Sequence, residues 1–478
     1  MTAPKVILIN YNRLVPPVAP LALDYLGAVL EEAGIKPFLA DLVWADEPYR
    51  FLEEAIDKNG PFVLAAVTVR NIDDSSFLSR KFFLPEIREL VGWLKQKCSL
   101  PVVLGGCGFS IMPGEVLQYC GADYGVWGDG EDTLAHLANG LHRGREITSL
   151  PGLLYHHQGQ VKYNPPRYVS LPEKEHLSKR SLVDNHLYFV RGGQGNLETK
   201  RGCSGSCIYC ADPLARGKKQ RLRPARHVVE EFKNLICQGI DCFHLCDAEF
   251  NLPPSHAEEI CRALIESGIS KKISWYAYCS PEPFSGELAS LMKESGCAGI
   301  NFGVDSASEE ILSRLGRNHD QSSLKQMARY CHQNRLPFMV DLLIGGPGES
   351  RKTIAESIAF VKNLEPSAAG ISLGVRLYRG TPLERMLSSL NVSDTCLHGQ
   401  LPENESFLQP VYYLSPGVGE NIHQYLNGLI GDDPRFFSLA DPRAERDYSY
   451  TENQVLMEAI EKGHRGAYWN ILQKLQRP

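Results

Sequence analysis

The amino-acid sequence predicts an α/β protein with a doubly wound, Rossmann-like sheet, then a partial (β/α)6 barrel, then a small, mostly helical C-terminal region. Short apolar runs alternate with helical segments over the first 145 residues, and a second alternating series begins at residue 195. Continuous apolar runs are typical of parallel strands that are buried on both faces. At 478 residues the chain is also too long for one ordinary core, so two or three domains are expected.

Composition indicates a globular protein rather than a disordered one. Hydrophobic residues make up 43% of the chain and charged residues 22%. No apolar run reaches the length of a membrane span, and "MTAPKVILIN" leads directly into a strand, so we expect a cytoplasmic protein. The net charge of -6 argues against general nucleic-acid binding, because that binding depends on neutralising phosphates.

The first series predicts a domain over residues 1–148. Its predicted strands are 5–10, 36–43, 61–69, 100–106 and 123–128. Ligands of doubly wound sheets bind beyond the carboxyl ends of the strands, where this chain has "NYN", "VRNIDD", "GGCGFS" and "GDGE". Glycines in two of these segments let the backbone approach a large ligand closely. No G-x-G-x-x-G follows the first strand, which disfavours an ordinary dinucleotide site.

The first domain resembles the cobalamin-binding domain of one branch of radical S-adenosylmethionine (SAM) enzymes. The stretches "PPVAPLALDYLGAVLEEAGIKPFLADL" and "VVLGGCGFSIMPGEVLQYCGADYGVWGDGE" carry the resemblance. It implies cobalamin contacts at Asn10, Tyr11, Thr68, Arg70, Asn71, Gly105, Gly106, Cys107, Gly108, Gly128, Asp129, Gly130 and Glu131. The Asp-x-His-x-x-Gly motif of other cobalamin domains is absent from the sequence, so we expect no protein histidine ligand to cobalt.

Arg70 ends the third predicted strand and is the residue that we expect near the lower face of the corrin. A cobalt ion without a strong lower ligand is reduced more easily, because axial ligation tunes the metal. The alternative is that Arg70 pairs with Asp73 or Asp74 and only shapes the loop.

The stretch "RGCSGSCIYCADP" places Cys203, Cys207 and Cys210 at C-x3-C-x2-C spacing. Three thiolates on a tight loop can ligate three irons of a [4Fe-4S] cube and leave the fourth iron open. A structural zinc ion would need a fourth ligand, for which Cys242 and Cys246 are the best alternative. Thiol exchange through C-x-x-C is disfavoured, because it does not need three cysteines.

The spacing of the cysteines, with Tyr209 before the last of them, resembles the signature of the radical SAM superfamily. The resemblance implies that SAM chelates the open iron and is cleaved to a 5'-deoxyadenosyl radical. The second series fits the family's partial barrel, over residues 193–392. Its six predicted strands lie within 195–203, 243–252, 273–280, 299–308, 337–350 and 370–383. Active residues of such barrels lie at the carboxyl ends of the strands.

The resemblance implies SAM contacts at Tyr209, Asp247, Glu249, Asp305, Ser306, Gly345, Gly346 and Arg376. Asp247 and Glu249 would receive the SAM amino group, since a carboxylate suits an ammonium. Asp305 and Ser306 match a position, often glutamate then serine, that faces the ribose and sulfonium. The glycine pair passes the adenine, and Arg376 is placed to meet a carboxylate.

Residues 149–192 break the alternating pattern and predict a small hairpin with a proline-containing connection. Residues 393–478 form the C-terminal region, in which 446–475 has a polar, aromatic opening followed by an amphipathic helix. This segment either shapes the substrate pocket or packs on the barrel exterior. Candidate catalytic or substrate residues are Tyr378, Tyr450 and Trp469.

The two resemblances cover residues 1–390 and imply a cobalamin-dependent radical SAM enzyme. Its most common activity is C-methylation, in which a methyl group moves from SAM via methylcobalamin to an unactivated carbon. Polar methyl transfer, a radical cyclisation or rearrangement without net methylation, and a corrinoid- or zinc-binding protein without radical chemistry are the alternatives. Expected partners are a small-molecule, lipid-like or peptide substrate and a reductant such as flavodoxin or ferredoxin.

Overall fold

The computed structural model describes residues 3–174, 178–390, 393–437 and 452–475. Two sheets, each covered by helices, account for most of them. Within these ranges no helix combines the length and the apolar character needed to cross a membrane.

The first sheet has seven strands. They are β1 (Lys5–Asn10), β2 (Lys36–Asp41), β3 (Leu64–Thr68), β4 (Val102–Gly105), β5 (Tyr124–Val126), β6 (Leu153–His157) and β7 (Gln160–Tyr163). They are arranged in the order β2-β1-β3-β4-β5-β6-β7. The first five strands are parallel, as predicted, and β6 and β7 continue the sheet as an antiparallel hairpin. The hairpin expected in the connection therefore extends this sheet.

Helices cover both faces of the first sheet. They are α1 (Leu21–Glu32), α2 (Pro48–Asn59), α3 (Leu84–Cys98), α4 (Cys107–Ile111), α5 (Pro113–Cys120) and α6 (Glu131–Arg143). Along β1, Val6 and Leu8 pack in the core under α1 and α6, while Ile7 and Ile9 pack in the core under α3 and α5. Successive side chains of a strand point to opposite faces, which explains the unbroken apolar run.

A connection with one helix, α7 (Asn185–Gly192), leads to the second sheet. The strands that follow are β8 (Gly195–Leu197), β9 (Lys200–Arg201), β10 (Arg221–Leu222), β11 (Cys242–Leu245), β12 (Ser274–Cys279), β13 (Cys297–Asp305), β14 (Phe338–Ile344) and β15 (Ala368–Leu373). Six of them form a parallel sheet in the order β15-β14-β13-β12-β11-β8, while β9 and β10 form a separate antiparallel pair. The prediction of six strand–helix units is confirmed.

The helices of this second unit alternate with its strands. They are α8 (Asp212–Arg216), α9 (Ala225–Cys237), α10 (Pro254–Glu266), α11 (Gly286–Glu294), α12 (Glu309–Leu315), α13 (Gln321–Gln333), α14 (Arg351–Leu364) and α15 (Pro382–Ser389). Helix α14 begins with a capping box, in which Ser350 and Thr353 each bond the other's backbone N–H. This cap fixes the turn between β14 and α14, which contains Gly345 and Gly346.

Two short strands of the C-terminal region, β17 (Leu397–His398) and β18 (Tyr412–Tyr413), form an antiparallel sheet with β16 (Val375–Arg376), which follows β15. The helices of this region are α16 (Ile422–Ile430), α17 (Gln454–Glu461) and α18 (Tyr468–Leu475). Helices α17 and α18 join the core of the barrel, because Leu456, Ile460 and Trp469 belong to its apolar cluster.

A buried ion network joins the two sheets. Arg180, in the connection, donates to Asp24 of α1 at 2.7 Å and to Glu231 of α9 at 2.8 Å. Arg223 donates to the other Glu231 oxygen at 2.5 Å, and the Tyr25 hydroxyl donates to Glu231 at 2.9 Å. Because all five side chains are buried, these bonds fix how the first domain sits on the barrel.

Candidate active site between the two sheets

A cavity of about 620 Å³ separates the carboxyl end of the first sheet from the barrel. The residues with predicted cobalamin contacts that line it are Asn10, Thr68, Arg70, Gly105, Gly106, Cys107, Gly128, Asp129, Gly130 and Glu131. Tyr11 and Asn71 line a smaller neighbouring cavity of about 100 Å³, together with Thr68 and Arg70. The sequence therefore identified one wall of the larger cavity.

The glycine-rich turn after β4 packs directly on the end of β3. Gly106 has a φ of 101°, and a Cβ atom there would lie 2.8 Å from the Val69 carbonyl oxygen. A Cβ on Gly108 would lie 2.9 Å from the backbone of Arg70. Glycine is therefore required for the turn to pack against the end of β3, and the backbone itself forms the edge of the cavity.

The acidic residues of "GDGE" have partners within the protein. Asp129 accepts from Arg221 at 2.8 Å and pairs with Arg201 at 3.4 Å. Glu131 pairs with Arg201 at 2.6 Å, and the Arg221 guanidinium lies 4.5 Å from the centroid of the Tyr168 ring. The two carboxylates thus pair with cations from β9 and β10 while they line the cavity, and their expected cobalamin contacts stay predictions.

Arg70 lines both cavities and is exposed to them. Asp73 pairs with Arg376 at 2.9 Å, and Asp74 accepts from the Ser79 hydroxyl and the Lys81 backbone. Within the described ranges, neither carboxylate pairs with Arg70, so the alternative in which Arg70 only shapes the loop is not the observed arrangement. The one histidine among the described lining residues is His244, which comes from the barrel.

The three cysteines of the motif lie on the loop between β9 and α8. A Cβ on Gly205 would lie 3.3 Å from the Cys203 sulfur and 3.9 Å from the Cys207 sulfur. Burial raises the pKa of the Cys203 thiol, and it raises that of Cys210 to about 12. A bound metal deprotonates such thiols, because its charge outweighs the cost of desolvation.

The number of thiols on this loop suits a cluster, which takes three thiolates and leaves one iron open. Among the described residues, no three His, Cys, Asp or Glu side chains converge closely enough to hold one ion. Tetrahedral zinc needs such convergence, whereas the thiolates of a cube each take a different iron. Cys242, one of the two alternative zinc ligands, is buried in the barrel core.

Arg317 is a residue of this site that the sequence analysis missed. Its guanidinium donates to the Cys207 sulfur at 3.0 Å and pairs with Asp305 at 3.2 Å. The Tyr209 hydroxyl donates to the same Asp305 oxygen at 2.6 Å. Because 110 positions separate Arg317 from Cys207, no local pattern marked this cation.

The two carboxylates after β11 differ in what they contact. Asp247 accepts from the Thr199 backbone at 2.8 Å, from the Thr199 hydroxyl at 2.5 Å and from the Lys200 backbone at 3.2 Å. Glu249 has a buried oxygen, Oε2, without a hydrogen-bond partner in the described structure. Burial raises the pKa of Glu249 to about 7. Glu249 thus has an unused acceptor, whereas Asp247 lines the cavity but already accepts three hydrogen bonds, and the expected SAM contacts of both residues stay predictions.

Two further predicted SAM contacts also have partners within the protein. Ser306 is fully buried, lies 3.0 Å from the Ser357 hydroxyl of α14 and accepts from the Ser308 backbone. Arg376 pairs with Asp73 of the first domain and donates to the carbonyls of residues 377, 407 and 408. Neither residue lines the larger cavity, and the expected SAM contacts of both stay predictions.

The backbone N–H groups of Gly345 and Gly346 donate to Glu349 at 2.5 and 3.2 Å. Through these two hydrogen bonds, the Glu349 carboxylate fixes the glycine-rich turn after β14. Neither glycine lines the larger cavity. The turn thus has a rigid internal support, and its expected place beside an adenine stays a prediction.

The three candidate substrate residues are distributed differently. Trp469 is 4% exposed, lines the cavity and lies against Gly299, with its ring 6.3 Å from that of Tyr276. Tyr378 lies under the Arg376 guanidinium, 4.5 Å from it, and does not line the cavity. Tyr450 lies outside the described residues. Helix α18 therefore contributes to the pocket rather than only to the barrel exterior.

Three barrel residues that the sequence analysis missed also line the cavity. They are His244 of β11, Tyr278 of β12 and Asn301 of β13. Burial lowers the pKa of His244 to about 4, so its ring is neutral at physiological pH. Alternation along the three strands was the signal that could have identified them.

Comparison with known proteins gives two family matches that divide the chain in the same way. Residues 7–138 match the B12 binding domain, and residues 197–361 match the Radical SAM superfamily. The tryptophan 2-C-methyltransferase of Streptomyces laurentii is 28% identical over 97% of this chain and 95% of its own length.

Two solved structures of the radical SAM methyltransferase TsrM from Kitasatospora setae resemble the whole chain. The structure with tryptophan substrate and a SAM analogue has a TM-score of 0.90, with 29% identity over 98% of each chain. The structure with cobalamin and a [4Fe-4S] cluster has a TM-score of 0.89, with 28% identity over 99% of this chain and 97% of that one. With its B12-binding domain followed by a radical SAM domain, the chain belongs to the cobalamin-dependent radical SAM enzymes.

Proposed function

We propose that this chain is a cobalamin-dependent C-methyltransferase whose substrate is a small aromatic amino acid of the tryptophan class. One observation carries the proposal, namely that a single cavity is bounded by the carboxyl end of the first sheet and by the barrel interior. A corrin on the sheet and a substrate in the barrel would therefore share one enclosed space. The similarity to relatives named for tryptophan and methyl transfer supports the choice of substrate.

Each part of the site has a separate role in this proposal. Bound cobalamin supplies methyl-group transfer, and a [4Fe-4S] cluster with SAM supplies one-electron chemistry. Cys203, Cys207 and Cys210 would hold three irons, and Glu249, with its unpartnered oxygen, would receive the SAM ammonium. Arg70, which faces the cavity, would lie near the lower face of the corrin.

The cavity wall suits an aromatic substrate. Tyr278 is 43% exposed although its strand lies in the middle of the barrel sheet, so its ring faces the cavity. Tyr468 and Trp469 add two further rings. Aromatic rings pack favourably on one another, and an enclosed site keeps water away from reactive groups.

The domain division that accompanies this function is a cobalamin domain at 1–148, a connection at 149–192, a SAM domain at 193–392 and a cap at 393–478. A one-electron reductant such as flavodoxin or ferredoxin would supply electrons to the cluster.

The first prediction tests this function directly. The anaerobically reconstituted enzyme is incubated with L-tryptophan, a reductant and SAM that carries a deuterated methyl group. We expect a product whose mass gain includes the labelled methyl group, because methyl transfer conserves that group. The Cys203→Ala variant should give no product, whereas Cys237→Ala, which removes an exposed thiol on α9, should behave as the wild type.

The same reaction distinguishes the alternatives. A product of altered structure without the label would replace methylation by a cyclisation or rearrangement. Formation of 5'-deoxyadenosine with the methylated product indicates hydrogen abstraction, and methylation without it indicates polar transfer. If wild-type enzyme with both cofactors neither binds nor converts tryptophan, the proposed substrate class is wrong.

A further inference from the structure

Three polar side chains face one another inside the barrel, above α18. Tyr278 and Asn301 are direct neighbours in the register of β12 and β13. The His244 ring of β11 lies 5.0 Å from the Tyr278 ring. All three line the large cavity, at positions further along the strands than Tyr276 and Gly299, on which Trp469 packs. Together they form a polar patch beside the aromatic rings of Tyr276 and Trp469.

Asn301 has a buried acceptor without a partner. The residue is 6% exposed, and its Oδ1 atom accepts no hydrogen bond within the described structure. Leaving a buried acceptor unpaired costs about 1–3 kcal/mol, so such an atom in a native structure needs an explanation. A ligand that donates a hydrogen bond into the cavity would supply one.

The neighbours of Asn301 also favour a donor. The neutral imidazole of His244 has one nitrogen that can accept a hydrogen bond, and the Tyr278 oxygen has lone pairs. Asp341, which pairs in register with Gly303 on the next strand, and Arg70 of the first domain both act electrostatically on the Tyr278 hydroxyl, with Asp341 having the larger effect. The patch is therefore rich in acceptors, which suits an N–H group.

We propose that Asn301, with His244 and Tyr278, forms a substrate-positioning subsite that accepts a hydrogen bond from an N–H group of the substrate. The inference rests on the proposed function, in which the substrate is an aromatic amino acid. Such a substrate has two N–H sources, the α-ammonium and the ring nitrogen. By fixing one of them, Asn301 sets which ring carbon faces the first sheet.

The second prediction compares ligand binding by the reconstituted enzyme and two variants. Asn301→Leu removes the acceptor and keeps a side chain that branches at the same atom, and Asn301→Asp keeps an acceptor oxygen. We expect Asn301→Leu to bind L-tryptophan roughly tenfold more weakly, and Asn301→Asp to retain binding. Calorimetry gives the dissociation constants, and absorption spectra show whether both variants retain cobalamin and the cluster.

Two analogues identify the group that donates. Indole-3-propionate lacks the ammonium, and 3-benzothienyl-alanine lacks the ring N–H. For the analogue without the group that contacts Asn301, the loss caused by Asn301→Leu should disappear, as in a double-mutant cycle. An equal loss for all three ligands, or none for any, overturns the inference.

A stability measurement separates positioning from a structural role. Asn301→Leu should leave the melting temperature unchanged or raise it, because it removes an unpaired buried acceptor. A lowered melting temperature with unchanged tryptophan affinity would show that Asn301 is structural. If the wild type does not bind tryptophan at all, the proposed function is wrong as well. If the wild type binds tryptophan and Asn301→Leu binds it equally well, only the role of Asn301 is wrong.

Discussion

Burial raises the pKa of Glu249, the residue that we propose receives the SAM ammonium. Its carboxyl group is desolvated, and the nearby charge of Asp305 raises its pKa as well, while Arg317 lowers it. Burial is the largest of these effects, so the pKa rises from its usual 4.5 to about 7. As the pH rises from 4.5 to about 7, ionisation of the buried Glu249 carboxyl therefore lowers the free energy of unfolding. A bound ammonium group would offset this loss of stability.

The third prediction follows from this pKa. The protonated carboxyl cannot pair with an ammonium, so the affinity for SAM should increase as the pH rises through about 7. Equilibrium binding of SAM to the reconstituted enzyme at several pH values measures the effect. In Glu249→Gln, binding should be weaker and this step should disappear.

A matched control is Glu310→Gln, which removes an exposed carboxylate paired with Arg314 on α12. It should retain the wild-type profile. A pH step that persists in Glu249→Gln would assign the titration to another group.

At the scale of elements, α18 is both part of the barrel core and part of the cavity wall. The amphipathic pattern predicted a single helix within 446–475, whereas the structure has two, α17 and α18, separated by residues 462–467. Trp469 packs on Gly299, and Asn470 accepts a hydrogen bond from Tyr276 at 2.9 Å. Because Gly299 has no side chain, the indole can lie directly against β13, so strand and helix depend on each other.

The fourth prediction concerns this contact. Trp469→Ala should lower the free energy of unfolding by roughly 3–5 kcal/mol, because it leaves a cavity in the core. Urea denaturation at equilibrium measures the change. Trp44→Ala is the control, since Trp44 is 37% exposed and should cost clearly less. Equal losses for the two variants would contradict the proposed role of α18.

At the scale of the molecule, the cavity exists because two sheets are held at a fixed distance. The buried ion network does this with charges that come from α1, the connection and α9. A second set of contacts, from Arg201 and Arg221 to "GDGE", fixes the sheets at the cavity itself. Each set joins residues from different domains, so it forms only when the two domains are packed against each other.

The fifth prediction concerns the network. Arg180→Leu leaves Asp24 and Glu231 buried without their shared cation, which should cost roughly 3–5 kcal/mol of unfolding free energy. Cobalamin should also be lost more readily on gel filtration, because the sheets are no longer held together. Arg50→Leu, which breaks only exposed ion pairs on α2, should change neither quantity. Full retention of stability by Arg180→Leu would show that the network is dispensable.

Most of the fold was predictable from local sequence. The parallel strands of both sheets are continuous apolar runs because both of their faces are buried. The antiparallel hairpin β6–β7 was predicted as a hairpin but not as part of the first sheet, because its pairing with β5, through the buried Leu153 and Leu154, is a contact between segments that are distant along the chain.

By itself, the sequence determined the order of the two domains, the three-cysteine loop and the glycine-rich turns, because each depends on residues that are close along the chain. Only the tertiary structure decided which polar groups are free to bind. Asp247 and Arg376 are engaged by distant partners, Glu249 and Asn301 keep unpartnered oxygens, and Arg317 reaches Cys207 across the barrel. The physical reason is that hydrogen bonds and charges are satisfied in three dimensions, by neighbours that spacing along the chain does not reveal.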